Sequence, residues 1–336
     1  MREPTGPRVL IAGCGYVGTA LGELLAARGL EVFGLRRRPD ASCAAIRPVV
    51  ADLTRPATLR SIPAGVDLVF YTAAAGASSD DAYRAAYVDG LRNLLEALAA
   101  HPPRRALFTS STSVYVQSDG EWVDESSATE PAHFSGRRLL EGERALAASG
   151  VPAVVLRLGG IYGPGRTRLI DAVRSGRAAI RAGPPIYTNR IHRDDCAGAL
   201  AHLAFLDSPA PLYVGVDAEP AREDEVLRWL AARLGAPAPR EAPAAEAEPR
   251  AGARRGGSNK RCRSARLVAS GYRLRFPTFR EGYEAVLRGM GLALAIALAQ
   301  SAPASPAPGT HRTMRAAPVH QADAPQGAFY RSVERP

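Results

Sequence analysis

Apolar residues along this chain follow two periods. RVLIAGC (8–14), EVFGLRR (31–37), PVVADL (48–53), VDLVFYTAA (66–74), ALFTSSTSVY (106–115) and AVVLRLGGIYG (153–163) are short, nearly continuous apolar runs. Strands buried on both faces of a parallel sheet have this pattern. Between them, GYVGTALGELLAARG (15–29) repeats its apolar positions at helical spacing and stops at Gly29. A second long helix is predicted from about Asp81 to Ala100, halted by HPP. Strands alternating with helices predict a parallel sheet joined by crossover helices.

Beyond residue 165 the pattern is less regular. Helices are predicted near 166–176, 193–207 and 221–234, with two short ones near 263–270 and 278–288. The Ala-, Pro- and Gly-rich stretch 234–257 reads as a loop. GMGLALAIALAQSAPASPAPG (289–309) holds an apolar run too short for a membrane span, which needs about 20 residues. Low complexity follows it, and disorder is expected from about residue 300. The expected architecture is α/β, a Rossmann doubly wound parallel sheet with a small C-terminal α/β substrate-side domain. The core spans 1–165, with some strands and helices continuing to about 215. The substrate-side region, 166–288, is interleaved with it, and 289–336 form the tail.

Composition changes this picture little. The chain of 336 residues is 46% hydrophobic and 23% charged, the balance of a soluble globular protein. Cys14, Cys43, Cys196 and Cys262 lie far apart, without CxxC or metal-ligand spacing, so no metal site is expected. Lone thiols and an N-terminus without an apolar leader point to the cytoplasm. Charge is more informative. Eleven arginines or lysines and only two acids fall within 250–288, which holds nearly all of the net +10. A solvated basic face or a phosphate-binding edge explains it better than nucleic-acid binding, since no recognition motif or interleaved stacking aromatics accompany it.

The first candidate site is the glycine loop. Gly13, Gly15 and Gly18 form G-x-G-x-x-G directly after a strand and opening a helix. The first glycine permits the tight turn, the second lets the backbone approach a pyrophosphate, and the third lets helix and sheet pack closely. The pyrophosphate then meets the helix N-terminus, whose N–H groups and dipole favour an anion. An acid at the end of the second strand would hold the ribose 2′-hydroxyl of NAD; this chain has Arg36, Arg37 and Arg38 there instead. Arginine pairs with a 2′-phosphate, which argues for NADP over NAD. The expected cofactor-binding set adds Tyr16, Val17, Asp52, Leu53, Thr72, Ala73, Ala74 and Ser110. Asp52 could accept from the adenine amino group or be an ordinary loop aspartate.

Several segments together resemble the extended short-chain dehydrogenase/reductase family, of the NAD-dependent epimerase/dehydratase type. They are the glycine loop, FTSSTSVY (108–115), LRLGGIYGPGR (156–166), NRIHRDDCAGAL (189–200) and LYVGVDAEPAREDEVLRWLAARLG (212–235). SNKRCRSARLVASGYRLRFPTFREGY (258–283) resembles a narrower, YeeZ-like atypical branch. The resemblance implies a Ser–Tyr–Lys site in which the tyrosine exchanges a proton as hydride moves. The serine maps to Ser111. The tyrosine position maps to Phe134 and the lysine position to Arg138, which could still bind a ribose hydroxyl. Phenylalanine has no proton to exchange, and arginine does not deprotonate. Tyr115, His133 and Tyr162 stand as substitute proton donors or as structural residues. Asn189, Arg190 and His192, with Lys260, could bind an anionic substrate or form a salt-bridged domain interface.

Two readings follow. One is an NADP-dependent oxidoreductase or epimerase/dehydratase with an altered site, acting on an unknown carbonyl or sugar-like substrate. The other is a non-catalytic NADP(H)-binding regulator or redox sensor. The family resemblance also permits a homodimer; no membrane partner is expected.

Overall fold

The structure, a computed structural model, describes residues 6–38, 43–243 and 259–301, with side chains as far as residue 291. One compact unit spans Met1–Leu292 and a second Ala293–Pro336. The first opens with β1 (Arg8–Ala12), in which Val9 to Ala12 are fully buried. It continues through α1 (Tyr16–Ala26), β2 (Glu31–Arg36), β3 (Arg47–Val50) and β4 (Leu68–Tyr71). The long helix expected over 81–100 is divided into α2 (Asp80–Arg84), a π-helical turn over Ala85–Asp89, and α3 (Gly90–Ala97). At the break Gly90 passes close to the sheet; a Cβ there would lie 2.8 Å from the Tyr71 hydroxyl and 3.0 Å from the Ala85 carbonyl oxygen.

β5 (Arg105–Ser111), β6 (Glu121–Val123) and α4 (Phe134–Ala147) follow. The apolar run 153–163, read as one strand, is two: β7 (Ala153–Leu158) and β8 (Gly160–Tyr162). The Gly159 amide still donates to Gly215 in the main sheet at 3.0 Å, but the Gly160 amide donates to Asn189 at 2.9 Å. The chain therefore changes sheets between these two glycines. α5 (Arg168–Arg174), β9 (Ala179–Arg181), β10 (Tyr187–Thr188) and β11 (Arg190–His192) come next. α6 (Arg193–Ala204) and β12 (Leu212–Gly215) then return to the core. The remainder is β13 (Ala221–Arg222), α7 (Glu223–Leu234), β14 (Arg240–Ala242), β15 (Lys260–Cys262), α8 (Ala265–Ala269) and α9 (Phe279–Ser301).

The main sheet runs β12-β7-β5-β4-β1-β2-β3, and every pair in it is parallel. Strand order reverses between β1 and β4, which opens a crevice beyond their C-terminal ends. One face is covered by α1 and α6 through Leu21, Leu25, Leu200 and Leu203, and the other by α3 and α4 through Leu91, Leu94, Leu139 and Leu146. A third core joins α5, α7 and α9 through Ile170, Val173, Val226, Leu230, Phe279 and Tyr283. This is the doubly wound α/β fold expected.

α9, expected to stop near 288, continues through the apolar stretch to Ser301. Among the described residues no helix is long and apolar enough to cross a membrane. The tail expectation beyond Ser301 lies outside the described residues, as do Arg250, Arg254 and Arg255. The rest of the basic stretch is largely partnered. Arg261 and Arg263 stack on Trp122 at 4.9 and 4.3 Å, Arg266 pairs with Glu125, Arg275 with Asp194, and Arg280 with Glu219 and Glu225.

Where this third core meets β11 and β12 it encloses polar groups. Asp217 is 2% exposed, and neither of its carboxylate oxygens has a protein hydrogen-bond partner. Burial pushes its carboxyl well above the usual aspartate range, and Arg190 opposes only in part. The folded state thus binds the proton more tightly than the unfolded chain. The stability this contributes is full below the ordinary aspartate pKa and is lost as pH rises through the raised value. Melting curves between about pH 5 and 8 should therefore show the Tm of Asp217→Asn gaining steadily on the parent as pH rises. Parallel Tm profiles would show that Asp217 is charged in the fold.

Candidate functional site

The C-terminal ends of the central strands open into a cleft of about 1310 Å³. Its lining brings together Gly13, Gly15, Tyr16, Val17, Arg36, Arg37, Asp52, Leu53, Thr72, Ala73, Ala74, Ser110 and Ser111. Each glycine of the loop has a separate physical role. Gly13 has φ +89°, and a Cβ there would sit 2.3 Å from the Cα of Ala73. A Cβ on Gly18 would meet Thr72, Gly13 and Ile11 within 2.9 Å, which places Gly18 in the helix–sheet contact rather than in the lining. A Cβ on Gly15 would meet only the Gly13 carbonyl, at 3.8 Å. Packing does not explain Gly15; an open approach to the N-terminus of α1 does. Gly15 caps that helix with no side-chain hydrogen bond. Free amides, an open approach and no intervening side chain suit a dinucleotide pyrophosphate.

At the far side of β2, Arg36, Arg37 and Arg38 all line the cleft. Asp52 faces them from the loop after β3. Its burial raises the carboxyl, but the Thr54 hydroxyl at 2.7 Å and amide at 2.9 Å outweigh this and hold it below the usual aspartate range. Asp52 is therefore a fixed, ionised acceptor.

The catalytic set is not brought together. Ser111, the last residue of β5, lines the cleft, and its Oγ accepts from the Ser113 amide at 3.1 Å. Phe134 opens α4 and packs edge-on against Tyr83, with ring centroids 5.5 Å apart. Arg138, one turn further on, was expected to reach a ribose. It instead forms a two-point pair with Asp80 of α2, at 2.8 Å for both bonds, and a third bond to Glu141 at 2.7 Å. It is absent from the cleft lining.

Tyr115 is also turned away from the cleft. Its hydroxyl accepts from Arg157 at 3.1 Å, and burial, partly opposed by Arg157, pushes it up to about 12. Arg157 itself is held by both oxygens of Glu143, at 2.7 and 3.0 Å, and Ser110 donates to the same carboxylate at 2.5 Å. His133 caps α4 by accepting from the Ser135 amide. Tyr162 is buried against Tyr283 and His192.

The residues expected to bind an anionic substrate are structural where their bonds are seen. The Lys260 ammonium is 1% exposed and donates to the Tyr115 carbonyl at 2.8 Å. Asn189 clamps β15, donating to Lys260 O and accepting from the Cys262 amide. His192 caps α6 through Nδ1, and burial pushes its pKa down to about 4 despite Asp194. None of these, nor Arg190, lines the cleft.

Sequence reasoning missed Tyr87, Leu139 and Arg166, which do line it. Tyr87 reaches the wall from the π-helical turn, and no local pattern announces such a turn. Arg166 stacks on Tyr16, 4.1 Å above its ring, while the Tyr16 hydroxyl donates to Pro164 at 2.9 Å. The loop after β8 is thus fastened onto the glycine loop.

The family profile described as NAD dependent epimerase/dehydratase matches residues 9–188. A Streptomyces protein named 3-diazoavenalumate denitrifying reductase is 32% identical over 304 residues, covering 82% of this chain and 98% of its own. A 2-alkyl-3-oxoalkanoate reductase from Stenotrophomonas maltophilia is 30% identical over 252 residues, 68% of this chain and 76% of its own. Protein YeeZ of Escherichia coli K12 is 31% identical over 229 residues, 64% of this chain and 80% of its own. A solved structure from Methylobacillus flagellatus, described as an NAD-dependent epimerase/dehydratase, superposes with a TM-score of 0.70. It is 37% identical and covers 85% of this chain and 99% of its own.

Proposed function

Since this chain belongs to the NAD-dependent epimerase/dehydratase family, we propose that it binds NADP(H) in the cleft above its glycine loop and acts as a reductase. The observation that carries the cofactor choice is the trio Arg36, Arg37 and Arg38 in the cleft wall at the end of β2, where an NAD site would place an acid. Gly13, Gly15 and the first turn of α1 would hold the pyrophosphate, Asp52 the adenine, and the arginines the 2′-phosphate. When bound, the reduced nicotinamide supplies hydride. Reduction rather than epimerisation agrees with the names of two relatives.

Titration with NADPH and NADH, followed by cofactor fluorescence, tests this. NADPH should bind at least about tenfold more tightly, because a charge-assisted phosphate contact is worth about 1.5–3 kcal/mol. Arg36→Ala with Arg37→Ala should remove the preference and leave NADH binding nearly unchanged. Equal affinities in the parent protein would defeat the NADP assignment.

Phe134 and the Arg138–Asp80 pair favour a second reading, an NADP(H)-binding regulator without turnover. It predicts tight cofactor binding and no reduction of any acceptor.

A further inference from the structure

Resting on the NADP(H)-reductase reading, the acid for the reaction follows from where the cleft wall carries a phenol. A carbonyl that takes up hydride becomes an alkoxide and needs a proton, and a positioned acid is worth about 10²–10⁴ in rate. The position that the family resemblance assigns to this acid holds Phe134, which has no proton to give. Arg138 is committed to Asp80 and Glu141. Arg36, Arg37, Arg38 and Arg166 line the cleft but keep their protons.

Two tyrosines line the cleft among the described residues, Tyr16 and Tyr87. Tyr16 belongs to the glycine loop, and its hydroxyl donates to the Pro164 carbonyl at 2.9 Å. Tyr87 stands in the other half. The arginines at the end of β2 mark the adenosine half, over β1, β2 and β3, so a nicotinamide falls over β4, β5 and β7. The Tyr87 ring meets Phe108 of β5 edge-on, with centroids 6.4 Å apart. Phe108 lies on the same strand as Ser111, which ends β5 in the cleft wall.

The fold builds this placement. Tyr87 lies in the π-helical turn over Ala85–Asp89, and such turns are rare and frequent at functional sites. α4 closes directly onto the turn: a Cβ on Gly142 would lie 2.3 Å from the Tyr87 carbonyl oxygen. Phe134, Tyr83, Tyr87 and Phe108 then form a row of rings, with successive centroids 5.5, 5.2 and 6.4 Å apart. The row leads from the protonless position on α4 to the cleft wall.

We propose that Tyr87 is the proton donor of the reductase, filling from the π-helical turn the role that Phe134 cannot fill on α4, with Ser111 orienting the carbonyl oxygen. The carbonyl carbon gains hydride, with its electron pair, from the dihydronicotinamide, which becomes the pyridinium. The C=O π pair moves onto oxygen, and that oxygen takes the phenolic proton of Tyr87. The O–H electron pair stays on Tyr87 as a phenolate, which solvent reprotonates.

The test uses the full chain with NADPH and ethyl 4-chloroacetoacetate, an activated ketone. It also reads Tyr87 directly, by fluorine NMR of protein carrying 3-fluorotyrosine. NADPH binding is measured first. The Tyr87 signal, assigned by its loss in Tyr87→Phe, should shift when NADP⁺ is added. It should shift much less with 2′-phospho-ADP-ribose, which lacks the nicotinamide. Tyr87→Phe should keep the parent's Tm and NADPH Kd and lose about 10²–10⁴ in kcat. Reduction by Tyr87→Phe as fast as by the parent would overturn the assignment and leave the reductase reading standing. So would a Tyr87 signal that NADP⁺ moves no more than 2′-phospho-ADP-ribose does, or a Tm or NADPH affinity lost along with kcat. Failure to bind NADPH, or NADPH bound without reduction of any activated ketone tried, would instead remove the reductase reading and the assignment with it.

Discussion

Gly15→Ala should leave the fold intact and weaken NADPH binding by about 10- to 100-fold, the effect of about 1–3 kcal/mol of steric exclusion. Gly13→Ala should do the opposite first and unsettle the protein itself. The contrast lies in what a single methyl group would meet. At Gly15 φ is negative, at −102°, and the only protein atom near a Cβ is the Gly13 carbonyl oxygen at 3.8 Å. The methyl therefore clashes with no protein atom and occupies the space through which a pyrophosphate reaches the α1 amides.

At Gly13 the backbone has φ +89° and the Cβ would sit 2.3 Å from Ala73 Cα and 2.4 Å from its nitrogen. Left-handed strain of about 1–2 kcal/mol adds to overpacking of about 1–3 kcal/mol against backbone that cannot turn aside. A loss of about 2–5 kcal/mol is expected, read as a Tm lower by roughly 10 °C in thermal melts. Thermal melts and cofactor titration on both variants separate the two roles. An unchanged Kd for Gly15→Ala would show that the cofactor does not approach through this opening.

The second large effect is at Glu143. Its carboxylate holds the Arg157 guanidinium in two bonds and receives Ser110, between β5, β7 and α4. Arg157 is 5% exposed. Burial works against its charge, and the hydrogen bonds and charge of Glu143 outweigh burial and raise its pKa. Glu143→Ala leaves this guanidinium buried with the Tyr115 hydroxyl as its remaining hydrogen-bond partner seen here. Removing one member of a buried pair costs about 3–5 kcal/mol, and that loss is expected in urea unfolding. Replacing both, with Glu143→Leu and Arg157→Met, should recover most of the loss, because two apolar side chains leave no uncompensated charge. A double variant as unstable as the single one would show that the cost arises from packing and not from the stranded charge.

Glu143 escaped notice in the sequence for the reason that Arg138 was misplaced there. Each acts through a partner in another element. Arg138 reaches Asp80, 58 residues earlier, and Lys260 reaches Tyr115, 145 residues earlier. Sequence reasoning could place Arg138 one turn into α4 but not say which way its guanidinium would turn. That depended on a carboxylate at the N-terminus of α2, brought alongside by packing. Tyr87 was hidden differently. A regular helix through 81–100 would set its phase by simple spacing, and the π-helical turn changes that phase. Asn189, His192 and Lys260 looked like binding groups because they are polar and cluster in motifs; in the fold they are caps and clamps that bond backbone through the Asn189 amide, His192 Nδ1 and Lys260 Nζ.

The sequence by itself determined the features that depend on near neighbours. The apolar runs located the strands of the main sheet, since a chain buried on both faces must be apolar throughout. The glycine spacing fixed the turn, the opening and the close packing at Gly13, Gly15 and Gly18. The arginines after β2 and the phenylalanine at 134 were likewise plain, because a residue's chemistry is legible wherever it falls. Only the tertiary structure decided which polar groups face the cleft and which are consumed within the protein. That choice is a competition among partners distant in sequence, settled by distances that exist only once the sheet and its helices have packed.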